Sequence, residues 1–302
     1  MATTFDNVTQ TSLPLSQPQI STALQRTFVN QRLTAVFESA EEVPFDDTSR
    51  IVFFSDCHRG DNSRADDFAK NASLFLNVLT RYYQDGFSYV EVGDGDELWK
   101  NRRFRVIREA HGRVFDLLHK FDAQDRLRLI LGNHDIQGCQ RHQVKKDGMV
   151  ANEGLVLKHV RTGQRLFVVH GHQADFKSDR LYQFSRLIVR SVWRRLQLLN
   201  LAGTTKSVDL DQPYKSFEHK LVDWAGVHRQ LTICGHTHRP ASATYGTSPY
   251  FNTGCCVVPG VLTGLEIQGG EIVLVRWHAR SGGDGVLERE VLATPRKLKF
   301  FA

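Results

Sequence analysis

Ile51-Val52-Phe53-Phe54-Ser55-Asp56-Cys57-His58 sets an unbroken apolar run directly against a carboxylate and an imidazole. Four large apolar residues without polar alternation are the pattern of a strand buried on both faces. The same device recurs down the chain. Tyr89-Val90-Glu91-Val92 runs into Gly93-Asp94, and Leu127-Arg128-Leu129-Ile130-Leu131 into Gly132-Asn133-His134-Asp135. Residues 165–169 lead into His170-Gly171-His172, and residues 231–234 into Gly235-His236-Thr237-His238. Helical stretches are expected at 68–83 and 104–121, between the first three strands. Strand, ligand, helix, strand, ligand is the signature of an α/β fold whose sites sit at strand ends. From Tyr250 through Val275-Arg276-Trp277 the chain is β-rich with Gly-Gly turns, and a second sheet packed on the first is expected there.

The donor types point to a metal centre. Asp56 and His58 alternate across an extended segment, so both face one ion only if the backbone turns there. Asp94 has two oxygens and is suited to bridge two ions. Asn133 offers an amide oxygen, His170 and His236 offer imidazoles for a second ion, and His238 can reach back to the first. Mixed oxygen and nitrogen donors suit two divalent ions, Mn first and Fe or Zn as alternatives, rather than Ca. Two cations about 3.5–4 Å apart neutralise phosphoryl oxygens and lower the pKa of a bridging water, whose hydroxide is the expected nucleophile. His134 is placed to protonate the leaving oxygen, with Asp135 as its orienting partner. Taken singly these motifs are weak, since Gly-Asp and Gly-Asn-His-Asp also make ordinary turns. Their succession after strands carries the argument.

Bulk properties narrow the class. The 302 residues are 41% hydrophobic and 24% charged, an ordinary soluble composition, without the run of about 18 apolar residues that a membrane span needs. Residues 1–19 lack the basic and apolar regions of a secretory signal. Five cysteines, with no Cys-x-x-Cys pair, argue for free thiols in a reducing compartment, the cytoplasm. A net charge of +6 suits anionic ligands, but no aromatic-interleaved basic stretch argues for nucleic acid.

Residues 1–47 are expected to form an N-terminal arm and helix, and 48–302 the main domain, with a helical cap insertion at 173–230. Within the cap, 178–201 is a basic amphipathic helix: Leu181, Phe184, Ile188, Val192, Leu196 and Leu199 form a stripe flanked by Arg180, Arg186, Arg190, Arg194 and Arg195. Such a helix fits a peripheral membrane or lipid contact; packing on the body or on a second copy, as a homodimer, is the competing use.

The series Asp-x-His, Gly-Asp, Gly-Asn-His-Asp, a later His and Gly-His-x-His resembles the calcineurin-type metallophosphoesterase superfamily, over about residues 51–254. The resemblance implies a sandwich of two mixed β-sheets flanked by helices. It also implies Asp56, His58, Asp94 and His238 on a first metal, Asp94, Asn133, His170 and His236 on a second, and His134 near the leaving group. Ser178-Asp179-Arg180-Leu181-Tyr182-Gln183-Phe184, Gly93-Asp94-Gly95-Asp96-Glu97-Leu98-Trp99 and His236-Thr237-His238-Arg239-Pro240 are similar to UDP-2,3-diacylglucosamine hydrolases. Those enzymes usually carry Arg where His134 stands and Asp where His172 stands. A phosphoester hydrolase acting on a small or lipid-linked phosphoester or pyrophosphate is therefore expected. A nuclease or nucleotide phosphodiesterase and a protein phosphatase are the competing activities. A catalytically lapsed metal-binding scaffold is the remote one, since every ligand position is filled.

Overall fold

The computed structural model describes residues 17–135, 143–175, 216–245, 248–280 and 286–298. The chain order is α1 (Gln17–Ser39), β1 (Glu41–Phe45), β2 (Ile51–Phe54), α2 (Ala72–Gln84), β3 (Ser88–Val92), α3 (Phe104–Ala110), α4 (Gly112–Asp122), β4 (Leu127–Ile130), β5 (Gln143–Lys146), β6 (Met149–Asn152), β7 (Gly154–His159) and β8 (Arg165–Val169). It continues with α5 (Ser216–Val227), β9 (Leu231–Cys234), β10 (Pro240–Tyr245), β11 (Ser248–Thr253), β12 (Val261–Gln268), β13 (Glu271–Ala279), β14 (Leu287–Val291) and β15 (Arg296–Lys297). Two mixed sheets form, one ordered β14-β13-β12-β2-β3-β4-β6-β5 with β15 beside β13, the other β1-β7-β8-β9-β11-β10.

Side-chain parity explains why the central strands are apolar throughout. In β2, Ile51 and Phe53 face the second sheet and pack with Leu155, Leu166 and Ile233. Val52 and Phe54 face the other way, into a core with Phe75 and Leu79 of α2 and Leu118 of α4. β8 divides likewise: Leu166 and Val168 turn to the inter-sheet core, while Phe167 and Val169 meet α1 and α5. Helices, sheet, sheet and helices therefore stack with an apolar layer at each junction, as expected for this class of sandwich.

Several sequence expectations change. The expected second sheet does not come from the C-terminal strands. β12 and β13 join the sheet of β2 through β12–β2 pairing, and only β10 and β11 extend the other sheet. Residues 41–45, read as the end of a helix, form β1, an edge strand parallel to β7, where Pro44 is tolerated. Through β1 pairing with β7, and through Trp224 Nε1 donating to Thr34 Oγ1 (3.0 Å), α1 and β1 are built into the body. The helix expected over 104–121 breaks into α3 and α4 at His111, whose ring is held by Asp66 Oδ2 at 2.7 Å. α5 lies within the stretch read as a cap, yet Leu221, Trp224 and Ala225 belong to the core against α1 and β8. The basic helix at 178–201 and the arm at 1–16 lie outside the described residues. Among the described residues, no helix is long and apolar enough to cross a membrane.

Candidate metal centre

The loops after β2, β3, β4, β8 and β9 converge beyond the C-terminal ends of those strands. The turn that Asp56 and His58 require is present: both adopt left-handed backbone, at φ 51° and 48°. Asp94, His236 and His238 do the same, at 51°, 68° and 59°. Such conformations cost roughly 1–3 kcal/mol each and persist only where their surroundings hold them. Here the loops after β2 and β3 are laced together: Asp56 N donates to Gly93 O (3.0 Å), His58 N to Asp94 O (2.9 Å), Arg59 N to Gly95 O (3.0 Å) and Glu97 N to Arg59 O (2.9 Å). Beneath them the buried Arg59 guanidinium forks onto Glu91 at 2.6 and 2.8 Å and reaches Asp96 at 2.8 Å. Neither Gly132 nor Gly235 could carry a side chain, because a Cβ would strike Asp94 Oδ1 at the first and Ser55 Oγ at the second.

Three donor groups result among the described residues, and one of them, His58, Glu97 and His134, shares His58 with another. Donor atoms of Asp56, His58 and His238 lie within 4.8 Å of one another, and so do those of Asp94, His170 and His236. Asp94 stands between the groups, its Oδ2 3.2 Å from His170 Nε2 and 3.8 Å from His58 Nε2. His134 N donates to Asp94 Oδ1 (2.7 Å), which ties the Asn133 loop to the same carboxylate. Asp56 Oδ2 accepts from His236 N (2.9 Å), and His170 Nδ1 donates to Val92 O (2.8 Å), leaving Nε2 as the free donor. Asp56 Oδ1, Asn133 Oδ1 and His170 Nε2 are all buried and make no hydrogen bond. Buried polar atoms are rarely left so. Three such atoms, one from each of three converging loops, are the donors a divalent ion would take, and the residues fit that role.

The charges agree. Burial alone would raise the Asp56 pKa, but the adjacent His238 and His58 rings hold it well below the usual carboxylate range. Burial alone would lower the His170 pKa, but the Asp94 carboxylate lifts it to about 9. His238, similarly buried beside Asp56, is lifted to about 10. His172, fully buried beside His170 and His236, is pushed well down and stays neutral.

His134 corrects one expectation. Its partner is not Asp135 but Glu97: His134 Nδ1 lies 2.9 Å from Glu97 Oε1, and His58 Nδ1 3.2 Å from Glu97 Oε2. Asp135 is directed inward, accepting from Gly132 N (2.9 Å), Asp96 N (2.9 Å) and Lys146 Nζ (2.8 Å). It shapes the loop that presents Asn133 and His134. The reason is directional: the His134 backbone N–H is tied to Asp94 and its ring turns to Glu97, while the Asp135 side chain turns the other way, to Lys146. Trp99 stacks on the His134 ring at 3.9 Å and donates from Nε1 to Asn133 O (2.7 Å). Sequence reasoning gave Glu97 and Trp99 no role, although three carboxylates within Asp94-Gly95-Asp96-Glu97 were a signal of a built polar loop.

Over residues 49–240 the sequence matches the calcineurin-like phosphoesterase family. The chain belongs to that family. Solved structures similar to this chain include a conserved uncharacterized protein of Streptococcus pneumoniae described as a predicted phosphoesterase (15% identity, 80% of this chain and 97% of that one, TM-score 0.37). Yfce, a phosphoesterase from E. coli, is similar at 15% identity over 81% of this chain and 100% of that one, with TM-score 0.36. Vacuolar Protein Sorting 29 from Cryptosporidium parvum is similar at 12% identity over 82% and 98%, with TM-score 0.43. No curated protein sequence matches the chain.

The lifted histidines predict how metal binding responds to pH. An imidazole must be neutral to ligate, and His170 and His238 hold protons up to about 9 and about 10 in the metal-free protein. Binding near pH 7 therefore expels protons, and apparent affinity rises with pH until those values are passed. Titration calorimetry with Mn in buffers of different ionisation enthalpy reads the proton count; a count of zero contradicts the assignment.

Proposed function

We propose that this chain is a dinuclear-metal phosphoester hydrolase acting on a small or lipid-linked phosphoester or pyrophosphate, with His134 at the leaving group. The observation that carries the reading is Asp94, grouped with His170 and His236 and standing 3.8 Å from His58 of the group that holds Asp56 and His238. Asp56, His58, Asp94 and His238 would hold one ion, and Asp94, Asn133, His170 and His236 the other. When bound, the ions supply positive charge toward phosphoryl oxygens and an activated water.

The chain's own residues do the rest. Glu97, with a carboxylate held well below its usual pKa despite burial by His134 and His58, stays ionised. It keeps a proton on Nδ1 of both rings, so that each presents Nε2 outward, and His134 would act as an acid in the form that carries a second proton on Nε2. His58 then offers a lone pair to its group. The His134 side chain is 18% exposed where Glu97 is 3%, so it is the one a departing oxygen can reach. Trp99 fixes the plane of that ring. Mn is the first metal to try, with Fe and Zn next, on the mixed donor set. Purified protein supplied with Mn is expected to hydrolyse an aryl phosphate monoester or diester; a metal-loaded protein that turns over neither refutes the proposal.

Glu97→Gln is expected to lower metal affinity or turnover by about 10–100-fold, the usual cost of losing a carboxylate behind a ligating histidine. Metal analysis together with kcat and KM checks this, and unchanged values would remove Glu97 from the machinery. The lipid contact proposed for 178–201 is read by co-sedimentation with anionic liposomes at low salt; absence of binding removes it.

A further inference from the structure

A second cleft opens at the opposite pole of the sandwich, where the central strands begin. Ile51 opens β2, Ser88 opens β3 and Arg126 directly precedes β4, and all three line it. Strands of four to five residues separate it from the metal centre by about 13–17 Å. Its volume is about 420 Å³, within the range of small-molecule sites, roughly 300–1,000 Å³. The floor is apolar, from Val43, Phe45, Ile51 and Leu157.

The rim carries three guanidinium groups, Arg50, Arg126 and Arg128, against two carboxylates, Asp85 and Asp125. Arg126 donates to Tyr83 O (3.2 Å), Phe87 O (2.9 Å) and Gln124 Oε1 (2.5 Å), and lies over the Tyr83 ring at 4.6 Å. Arg50 donates to Asp85 O (2.9 Å). Every one of these acceptors is neutral. Among the described residues neither guanidinium has an ion-pair partner: Asp85 faces Arg81, and Asp125 faces Arg128. Both forks are thus held in place by uncharged groups, and among the described residues neither lies within ion-pair distance of a carboxylate. Fixed guanidinium forks beside an apolar floor are the recognition chemistry for a carboxylate or phosphate borne on an apolar body.

We propose that this cleft binds a small organic anion of that kind, with Arg50 and Arg126 contacting the acidic group. The claim is independent of the metal centre, so its test uses metal-free protein. Fluorescence titration with 1-anilinonaphthalene-8-sulfonate, an anion on an apolar ring system, is expected to show one saturable site. Arg50→Gln is expected to weaken it about tenfold or more, and Arg50→Glu further, because a charge-assisted contact is lost. Arg50 is exposed, so both variants should keep the parent's melting temperature. Arg126→Gln gives the same loss if the protein folds. Asp94→Asn should bind the probe as the parent does. Displacement by decanoate marks a fatty-acid-like ligand, and displacement by adenosine monophosphate a nucleotide-like one; either supports the site. Unsaturable binding, binding indifferent to Arg50, displacement by neither competitor, or loss in Asp94→Asn would overturn it.

Discussion

Asp94→Asn is expected to reduce metal-dependent phosphoester hydrolysis by about 10³-fold or more. The estimate follows from the several kcal/mol that metal charge contributes to a phosphoryl transition state, at about 1.4 kcal/mol per factor of ten. The amide keeps the shape of the carboxylate, so Oδ1 can still accept from His134 N. What it loses is the charge that faces His170 and His58. The loss should therefore be in metal content as well as rate, with little change in fold. Elemental analysis beside kcat separates the two, and activity that survives at parental level would break the link between Asp94 and the chemistry.

His134→Ala has the second largest expected effect, about 10²–10⁴-fold, the contribution of a positioned proton donor. Here the size depends on the leaving group. An alkoxide needs a proton to depart, whereas nitrophenolate leaves without one, so the loss should be large for an alkyl phosphate and small for nitrophenyl phosphate. Because the ring meets Glu97 and Trp99 of the loop after β3, and the tie to Asp94 is through the His134 backbone N–H, alanine should leave Asp94 and His170 in place. Equal losses with both substrates would make His134 a positioning residue instead of an acid.

Much of this architecture could be read from the chain because short, fully buried strands leave a plain mark, as in Ile51-Val52-Phe53-Phe54, and a polar cluster after such a strand has few other uses. The same feature hid the sheet assignment. When both faces of a strand are apolar, periodicity does not say which neighbour it pairs with, and so β12 and β13 were assigned to the wrong layer. Pro44 masked β1, because an edge strand pairing on one side escapes the usual veto on proline. At the site, residue types pointed to candidate donors, since carboxylate, amide and imidazole after strands stand out, and the loops bring several of them together. The partner of His134 could not be read, because adjacency in sequence favoured Asp135 whereas the turn after β4 sends successive side chains in opposite directions. Glu97 reaches His134 only through the folding of two loops onto each other.

The oily character of β2 on both sides has a further consequence. Sliding the strand by one residue against β3 would exchange Ile51 and Phe53 for Val52 and Phe54, at little cost in burial, so hydrophobicity alone cannot choose the alignment. Polar rungs must choose it. Asp56, His58 and Arg59 meet Gly93, Asp94 and Gly95 at one offset only, and the fork of Arg59 fits Glu91 and Asp96 in that offset alone. The residues that build the candidate metal centre thereby serve as the detent that stops the sheet from slipping, and on that account assembly of the centre and choice of strand pairing become a single event.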